Sequence, residues 1–280
     1  MITVLSAGIL TTIQDLGRFS YASIGVPVSG AMDSFSASLA NNVLGNPKNS
    51  AVIEITFGSC KLLFNKNTFI CISGADFSAQ INGVEIKLNH IIFIKQGDIL
   101  SFGKQIFGVR TYLAVLGGFQ SETIFGSRSF YKGITESWRL VKNQQVEIKE
   151  SLNIKKLKNV SIKVDQELYQ TKKLFCFEGP EFNLLTNNQK EKLLNLEYTI
   201  STRNNRMGYQ LKEKLPNKLP SMLTSAVLPG TVQLTPNGTL IVLMKDCQVT
   251  GGYPRVLQLS EESICMISQK TTNQNFGFQL

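Results

Sequence analysis

The chain has 280 residues, 42% of them hydrophobic and 18% charged, a balance that fits a folded globular protein and excludes a disordered one. No apolar run approaches the roughly 20 residues that span a bilayer, and residues 1–5 lack the basic start and long apolar stretch of a secretory signal, so a cytoplasmic location without a membrane partner is expected. The formal charge of +9 raises a nucleic-acid reading, but lysines such as Lys155, Lys156, Lys158, Lys212 and Lys214 are scattered through turn-like text, which argues against nucleic acid and suits a field that steers small anions.

Residues 8–33 come first in chain order. Gly8, Gly17, Gly25, Pro27 and Gly30 punctuate them so closely that most of the stretch reads as loop. Gln14, Asp15, Arg18, Ser29 and Asp33 place donors and acceptors at short range there, which suits a small polar ligand. A second reading stays open, in which Asp15 and Arg18 pair across a turn and Asp33 only caps a helix. That helix is expected over 35–44, with Asp33 or Ser34 as N-cap and Gly45 as its stop.

Strand-like runs follow at 52–57, 61–64, 69–73, 78–81, 84–88, 91–94, 99–102 and 110–115. Asn82-Gly83 between two of them predicts a tight hairpin, because both central residues must take positive φ. Short strands at this spacing favour a barrel or sandwich over a βαβ sheet. His90, beside the run 91–94, reads as a structural or surface residue. Residues 143–173 are rich in Lys, Gln and Glu and read as an exposed connector or a long hairpin. A second helix is expected over 182–196 and a strand over 197–202, a loose echo of the helix and strand in the first half.

Two further polar clusters lie in the second half. Arg203, Asn204, Asn205 and Arg206 could clamp a carboxylate or phosphate through planar guanidinium forks, or mark a strand end whose arginines face solvent. The apolar run 240–243 leads into a polar, double-glycine turn at 244–254, which places Asp246, Gln248 and Thr250 at a strand end and Tyr253 just beyond. Met244-Lys245 has the look of a biotin-acceptor pair, but Asp246 follows it and the hairpin context is missing, so no biotin is expected on this chain.

The five cysteines are odd in number and none form Cys-x-x-Cys, which argues against a disulfide framework or a zinc site. A single histidine rules out a two-histidine metal site and leaves a Ser–His–Asp triad only His90. Phosphate-loop, dinucleotide and Gly-x-Ser-x-Gly signatures are absent. Cys247 as a lone nucleophile would need an activating base, for which only lysines and carboxylates are near in sequence.

The clusters share wording with a known family. The stretch 11–18 (Thr-Thr-Ile-Gln-Asp-Leu-Gly-Arg), Gly25-Val-Pro, and 29–33 (Ser-Gly-Ala-Met-Asp) resemble the biotin-dependent carboxyltransferase family, also called the allophanate hydrolase subunit 2 family or the family of 5-oxoprolinase C subunits. So do Ala40-Asn41, Gly45-Asn46, Glu54 with Gly58, 73–76, 112–115 with Gly117-Gly118, 126–129, 205–209, 230–233 and 250–254. The blocks keep family order from end to end.

This resemblance implies a mainly β protein with a few short helices, built as two cyclophilin-like β-barrel lobes, one over 1–145 and one over 146–280, free to interleave. It implies an ATP-dependent 5-oxoprolinase in which this chain works with the B and A subunits, opening 5-oxoproline, a small anionic substrate, to glutamate. It assigns catalytic roles to Asp15, Arg18, Asp33, Arg206 and Asp246. Substrate contacts fall to Gln14, Ser29, Arg128, Asn205, Gln248, Thr250 and Tyr253, with no metal. Fused relatives imply an alternative, the carboxyltransferase part of a urea carboxylase. A sporulation antagonist in the family implies another, a non-enzymatic regulator that binds a kinase inhibitor resembling the B subunit. The family pattern has Arg and Thr where Cys247 and Val249 stand, and Glu where Ala226 stands. Those departures point to a shifted substrate or to catalysis borne by a partner.

Overall fold

The structure, a computed structural model, describes residues 1–149, 162–164, 167–220 and 222–280. The chain divides into two compact units: Met1–Arg18 with Ser29–Asp165, and Phe19–Val28 with Gln166–Leu280. Part of the expected 143–173 connector, residues 150–161 and 165–166, lies outside the described residues.

Unit 1 begins with strands β1 (Ile2–Ala7) and β2 (Leu10–Gln14), then helix α1 (Ser34–Val43). It continues through β3 (Val52–Thr56), β4 (Cys60–Phe64), β5 (Thr68–Asp76), β6 (Gln80–Ile81) and β7 (Val84–Glu85). The remaining strands are β8 (Ile92–Ile94), β9 (Ile99–Ser101), β10 (Phe107–Val115) and β11 (Gln145–Val146). They form a six-stranded sheet, β11-β1-β4-β9-β6-β7, and a five-stranded sheet, β2-β3-β10-β5-β8. Because β11 pairs with β1, with Ile2 opposite Val146, the boundary expected between 145 and 146 falls inside a strand of this unit.

The period of two explains how the sheets meet. Ile13, Ile53, Ile55, Ile70, Ile72, Leu113 and Val115 point from the five-stranded sheet toward Ile2, Val4, Leu62, Phe64 and Leu100 of the other, in one shared core. The opposite face of the five-stranded sheet is apolar only at one end, where α1 lays Ala37, Ala40, Val43 and Leu44 over Val52, Cys71 and Ala114. Asp33 caps α1, its Oδ1 accepting from Ser36 N at 2.9 Å. The expected hairpin is present: Gln80 faces Glu85, and Asn82 and Gly83 take φ of 50° and 83°.

Unit 2 holds α2 (Glu167–Gln170), β12 (Lys173–Glu178), α3 (Asn187–Asn195), β13 (Tyr198–Asn204) and β14 (Gly208–Lys214). Then come β15 (Ser225–Ala226), β16 (Thr231–Leu234), β17 (Thr239–Leu243) and β18 (Thr250–Gly251). The chain ends with β19 (Arg255–Leu259), α4 (Glu261–Ser268) and β20 (Asn275–Gln279). Seven strands close a barrel, β12-β19-β16-β17-β14-β13-β20, in which β20 returns to β12 in parallel. Tyr198, Phe276 and Phe278 pack inside it with ring centroids 5.2–6.5 Å apart. Strands β15 and β18 form a separate two-stranded ribbon.

The helix expected over 182–196 is broken. A short 3-10 turn, Phe182–Leu184, precedes α3, whose N-cap Thr186 makes a capping box with Gln189. Thr186 is extended, with ψ of 159°, so the cap that starts α3 also ends the turn before it. Among the described residues no helix is long and apolar enough to cross a membrane.

Candidate functional site

The polar half of the five-stranded sheet is where unit 1 concentrates its chemistry. Thr12, Glu54, Tyr112 and Ser73 stand in one cross-strand row over β2, β3, β10 and β5. Thr56 and Arg110 face each other in the neighbouring register. Glu54, Tyr112 and Ser73 are fully buried or nearly so, and Arg110 is 4% exposed. Buried charge must be paired and hydrogen-bonded, and the Glu54 carboxylate is both. Tyr112 OH donates to Glu54 Oε2 at 2.9 Å, Met32 N donates to the same oxygen at 2.8 Å, and Arg110 Nε lies 3.9 Å from Glu54 Oε1. Burial, then the charges of Glu54 and Asp33, push the Tyr112 phenol well above its ordinary range, so it stays a neutral donor.

This row holds the glycine-rich loop. Asp33 N donates to Tyr112 Oη at 2.8 Å and Ala31 N to Asp15 O at 2.8 Å. Ser29 is consequently fixed with a left-handed φ of 57° while fully buried, and its Oγ has no hydrogen-bond partner among the described residues. A non-glycine residue in that region costs on the order of 1 kcal/mol, so the loop is over-determined around a free hydroxyl. Gly30, at φ 89°, passes so close to the backbone of Leu16 that a Cβ would meet its carbonyl carbon at 2.8 Å. Gly30→Ala is expected to cost about 2 kcal/mol or more, combining backbone strain and this clash, measured as a shifted urea midpoint.

Asp15 is the second anchor. Its Oδ1 accepts from Ser127 Oγ and Ser129 Oγ, both at 2.6 Å, and from Gly17 N at 2.8 Å, while Oδ2 accepts from Arg128 N at 2.6 Å. Arg18, 1% exposed, donates through Nη2 to Ser129 O. Gln14 Nε2 reaches Thr12 Oγ1 and Phe130 O at 3.1 and 3.3 Å, leaving its Oε1 without a partner among the described residues. The Arg128 guanidinium turns to Gln120 Oε1, at 3.1 Å, and to Ser121 O. Both oxygens of Asp33 are engaged by Ser36, which makes it the cap of α1 in this structure. Unit 1 thus gathers Gln14, Asp15, Arg18, Ser29, Asp33 and Arg128 around one loop and its supports.

Unit 2 carries the other predicted residues. Arg206, in the β13–β14 turn, forms a two-pronged pair with Asp246: Nε to Oδ2 at 2.8 Å and Nη2 to Oδ1 at 2.9 Å. Both residues are buried, and Asp246 N donates to Arg206 O at 2.8 Å, locking the turn to the end of β17. Arg203 is exposed, so the two arginines do not form a common clamp. Asn205 shapes the turn, its Oδ1 accepting from Met207 N at 2.7 Å. Gln248 and Thr250 are exposed, and Tyr253 lines a groove of about 310 Å³ with Gln210, Thr235 and Thr239.

The Glu181–Arg255 pair escaped the sequence reading. Glu181 pairs with Arg255 in the same two-pronged way, at 2.8 and 2.9 Å, and those bonds hold its carboxyl below the usual range. Lys245 is 8% exposed and its Nζ lies 3.1 Å from Glu261 Oε2. Cys247 sits in a small apolar cluster with Val227 and Leu243. Burial, helped by the charge of Asp246, pushes its thiol up to about 12, which removes it as a nucleophile. Iodoacetamide at about pH 8, near an ordinary thiol's pKa, should leave Cys247 unmodified in the folded chain and label it after denaturation, as peptide mass mapping would show.

His90 bonds locally, Nδ1 to Leu88 O at 2.6 Å. Among the described residues no three His, Cys, Asp or Glu side chains gather as metal ligands. The side chains and backbone described above offer oriented guanidinium groups, hydroxyls and backbone amides, a set suited to anionic oxygens.

The family model for the carboxyltransferase domain, subdomains A and B, matches residues 24–280. The chain belongs to this carboxyltransferase family. The C subunit of 5-oxoprolinase from Escherichia coli is 30% identical over 99% of this chain and 90% of its own length, and that of Haemophilus influenzae 27% over 100% and 91%. The urea amidolyase of Lachancea kluyveri is 43% identical, but over 46% of this chain and 7% of its own. In fold, the chain superposes on the crystal structure of TTHA0988 with a TM-score of 0.89 at 24% identity, covering 100% of this chain. It also superposes on the Kluyveromyces lactis urea carboxylase with a TM-score of 0.83 at 27% identity, covering 99% of this chain. This chain spans 56% of TTHA0988 and 27% of that carboxylase.

Proposed function

We propose that the chain is the C subunit of an ATP-dependent 5-oxoprolinase, cytoplasmic, and active with the B and A subunits in opening 5-oxoproline to glutamate. The observation that carries this reading is the extent of the sequence match: the C subunits of Escherichia coli and Haemophilus influenzae match 99% and 100% of this chain, whereas the Lachancea urea amidolyase matches 46% of it. The chemistry fits as well. Opening a lactam is uphill enough to require phosphorylation of the amide oxygen, after which water attacks the activated carbon. Charge then builds on phosphoryl and carboxyl oxygens, which calls for guanidinium and amide donors rather than a nucleophilic triad. Arg18, Arg128 and Arg206 are the donors we assign, with Asp15 and Asp246 holding the loops that present them. Ser29 and Gln14 keep buried polar atoms for substrate, and Asn205, Gln248, Thr250 and Tyr253 are the contacts assigned in unit 2. In this reading the complex uses ATP and this chain carries no biotin.

Omitting this chain from a purified three-component mixture should abolish glutamate formation from 5-oxoproline and ATP. Unchanged turnover on omission would remove the reading. The local match to the Lachancea enzyme, at 43% identity, supports a second reading as the carboxyltransferase component of a urea-carboxylase-type system. That reading requires a biotin carboxylase partner and activity that avidin abolishes.

A further inference from the structure

Strand β1 lies next to the end of its sheet, and its cover is incomplete. On one side it pairs with β4 along its length, with an irregularity between Val4 and Ser6. On the other side β11 reaches only Ile2 and Thr3, and the residues before β11 extend the cover to Val4, through Val4 N to Gln144 O at 2.9 Å and Asn143 N to Val4 O at 2.7 Å. Beyond Val4 no strand pairs with that edge among the described residues. The edge opens on a groove of about 540 Å³ walled by Leu5, Ser6, Ala7, Ile9, Arg139 and Lys142, within the range of about 300–1,000 Å³ that bound ligands fill.

The groove's chemistry selects its occupant. Ile9 is 68% exposed and Val141 49% exposed, so the walls offer apolar contact. Arg139 and Lys142 supply two exposed cations, and the guanidinium of Arg139 is held over the Trp138 ring, 4.6 Å from its centroid. We propose that this edge is a docking site for an extended, acidic segment of a partner protein, which adds to the six-stranded sheet as a strand. Main-chain bonds to Leu5–Ala7, other than the Ala7 carbonyl that accepts from Thr11 Oγ1, give such a segment its register. Alternate apolar side chains lie along Leu5, Ile9 and Val141, and acidic ones meet Arg139 and Lys142. The same two cations disfavour a second copy of this chain, because edge-to-edge pairing would bring like charges together, the usual protection of an exposed strand. The proposal is independent of the enzyme reading.

The test is to pan the purified full chain against a displayed library of random short peptides. Acidic residues alternating with β-branched ones should be enriched. The selected peptide should slow amide exchange at Leu5, Ser6 and Ala7, and should lose this effect when its own backbone is N-methylated at alternate positions. In the double variant Arg139→Glu, Lys142→Glu, both at exposed sites, affinity for that peptide should fall by about tenfold, as two lost surface ion pairs imply, and fresh panning should enrich basic residues. Four results overturn the proposal: no enrichment, enrichment blind to charge, protection elsewhere than β1, or self-association of the chain through this edge.

Discussion

Replacing Asp15 by alanine is expected to lower stability by about 3 kcal/mol or more, an effect drawn from charge-assisted hydrogen bonds of about 1.5–3 kcal/mol each that do not add fully. Four donors converge on this carboxylate, and Ser127 and Ser129 are fully buried. With alanine the four donors lose their acceptor, and the two buried serine hydroxyls have no bulk water to turn to. Asparagine should rescue little. One carboxylate oxygen accepts from Gly17 N and the other from Arg128 N, so either orientation of the amide sets its NH2 against a backbone N–H. Asp15→Asn should therefore fall about 2 kcal/mol below the parent. Urea unfolding followed by the single tryptophan, Trp138 in unit 1, measures both. An asparagine variant as stable as the parent would show that the carboxylate's charge and second acceptor do not matter. In the reconstituted enzyme both variants should also lose turnover, since the turn they loosen carries Arg18.

How much of this was visible in the sequence depends on how local each feature is. The Asn82-Gly83 hairpin and α1 were legible because their signals, a turn dipeptide and a cap, lie within a few residues of what they specify. Helix α4 was not, since its run Ile264-Cys265-Met266-Ile267 is as apolar and β-branched as a strand. Its identity comes from the Ser260 cap and from burial of one face. At the site, Asp15 stood out as a polar residue among glycines. Its partners did not, because Ser127 and Ser129 lie more than a hundred positions away in the chain.

Arg110, and the site role of Glu54, which was named only within the family pattern, were hidden differently. They sit in strands whose other residues are apolar, and the alternation reads simply as sheet. A charged residue inside a strand buried on both faces, as Val52–Thr56 is, is itself the available signal. It has to be paired: Tyr112, opposite it on β10, donates to it, and Arg110, which faces Thr56, brings its guanidinium to 3.9 Å. The departures at Ala226 and Cys247 look like lost chemistry in the sequence. In the structure Cys247 packs with Val227 and Leu243, so this part of unit 2 is built as an apolar contact, and under the proposed function Arg206 is the residue there assigned to handle anions.

That assignment leads to the second large effect. Asp246→Ala should destabilise by about 3–5 kcal/mol, because it takes the two-pronged carboxylate from a guanidinium that is only 7% exposed. Arg206→Met alone should cost a similar amount, leaving Asp246 as a buried carboxylate. The double variant Arg206→Met, Asp246→Leu should regain much of the loss, since apolar replacement of a whole buried pair is often neutral. The backbone bond from Asp246 N to Arg206 O survives all three changes and keeps the turn in place. A double-mutant cycle on unfolding free energies reads the coupling directly. If the pair only braces the turn, the double variant should turn over 5-oxoproline nearly as well as the parent in the reconstituted enzyme. If Arg206 also receives anionic oxygens, as proposed, stability returns and turnover does not. A stable, fully active double variant would therefore eliminate Arg206 from the reaction while leaving its place in the fold intact.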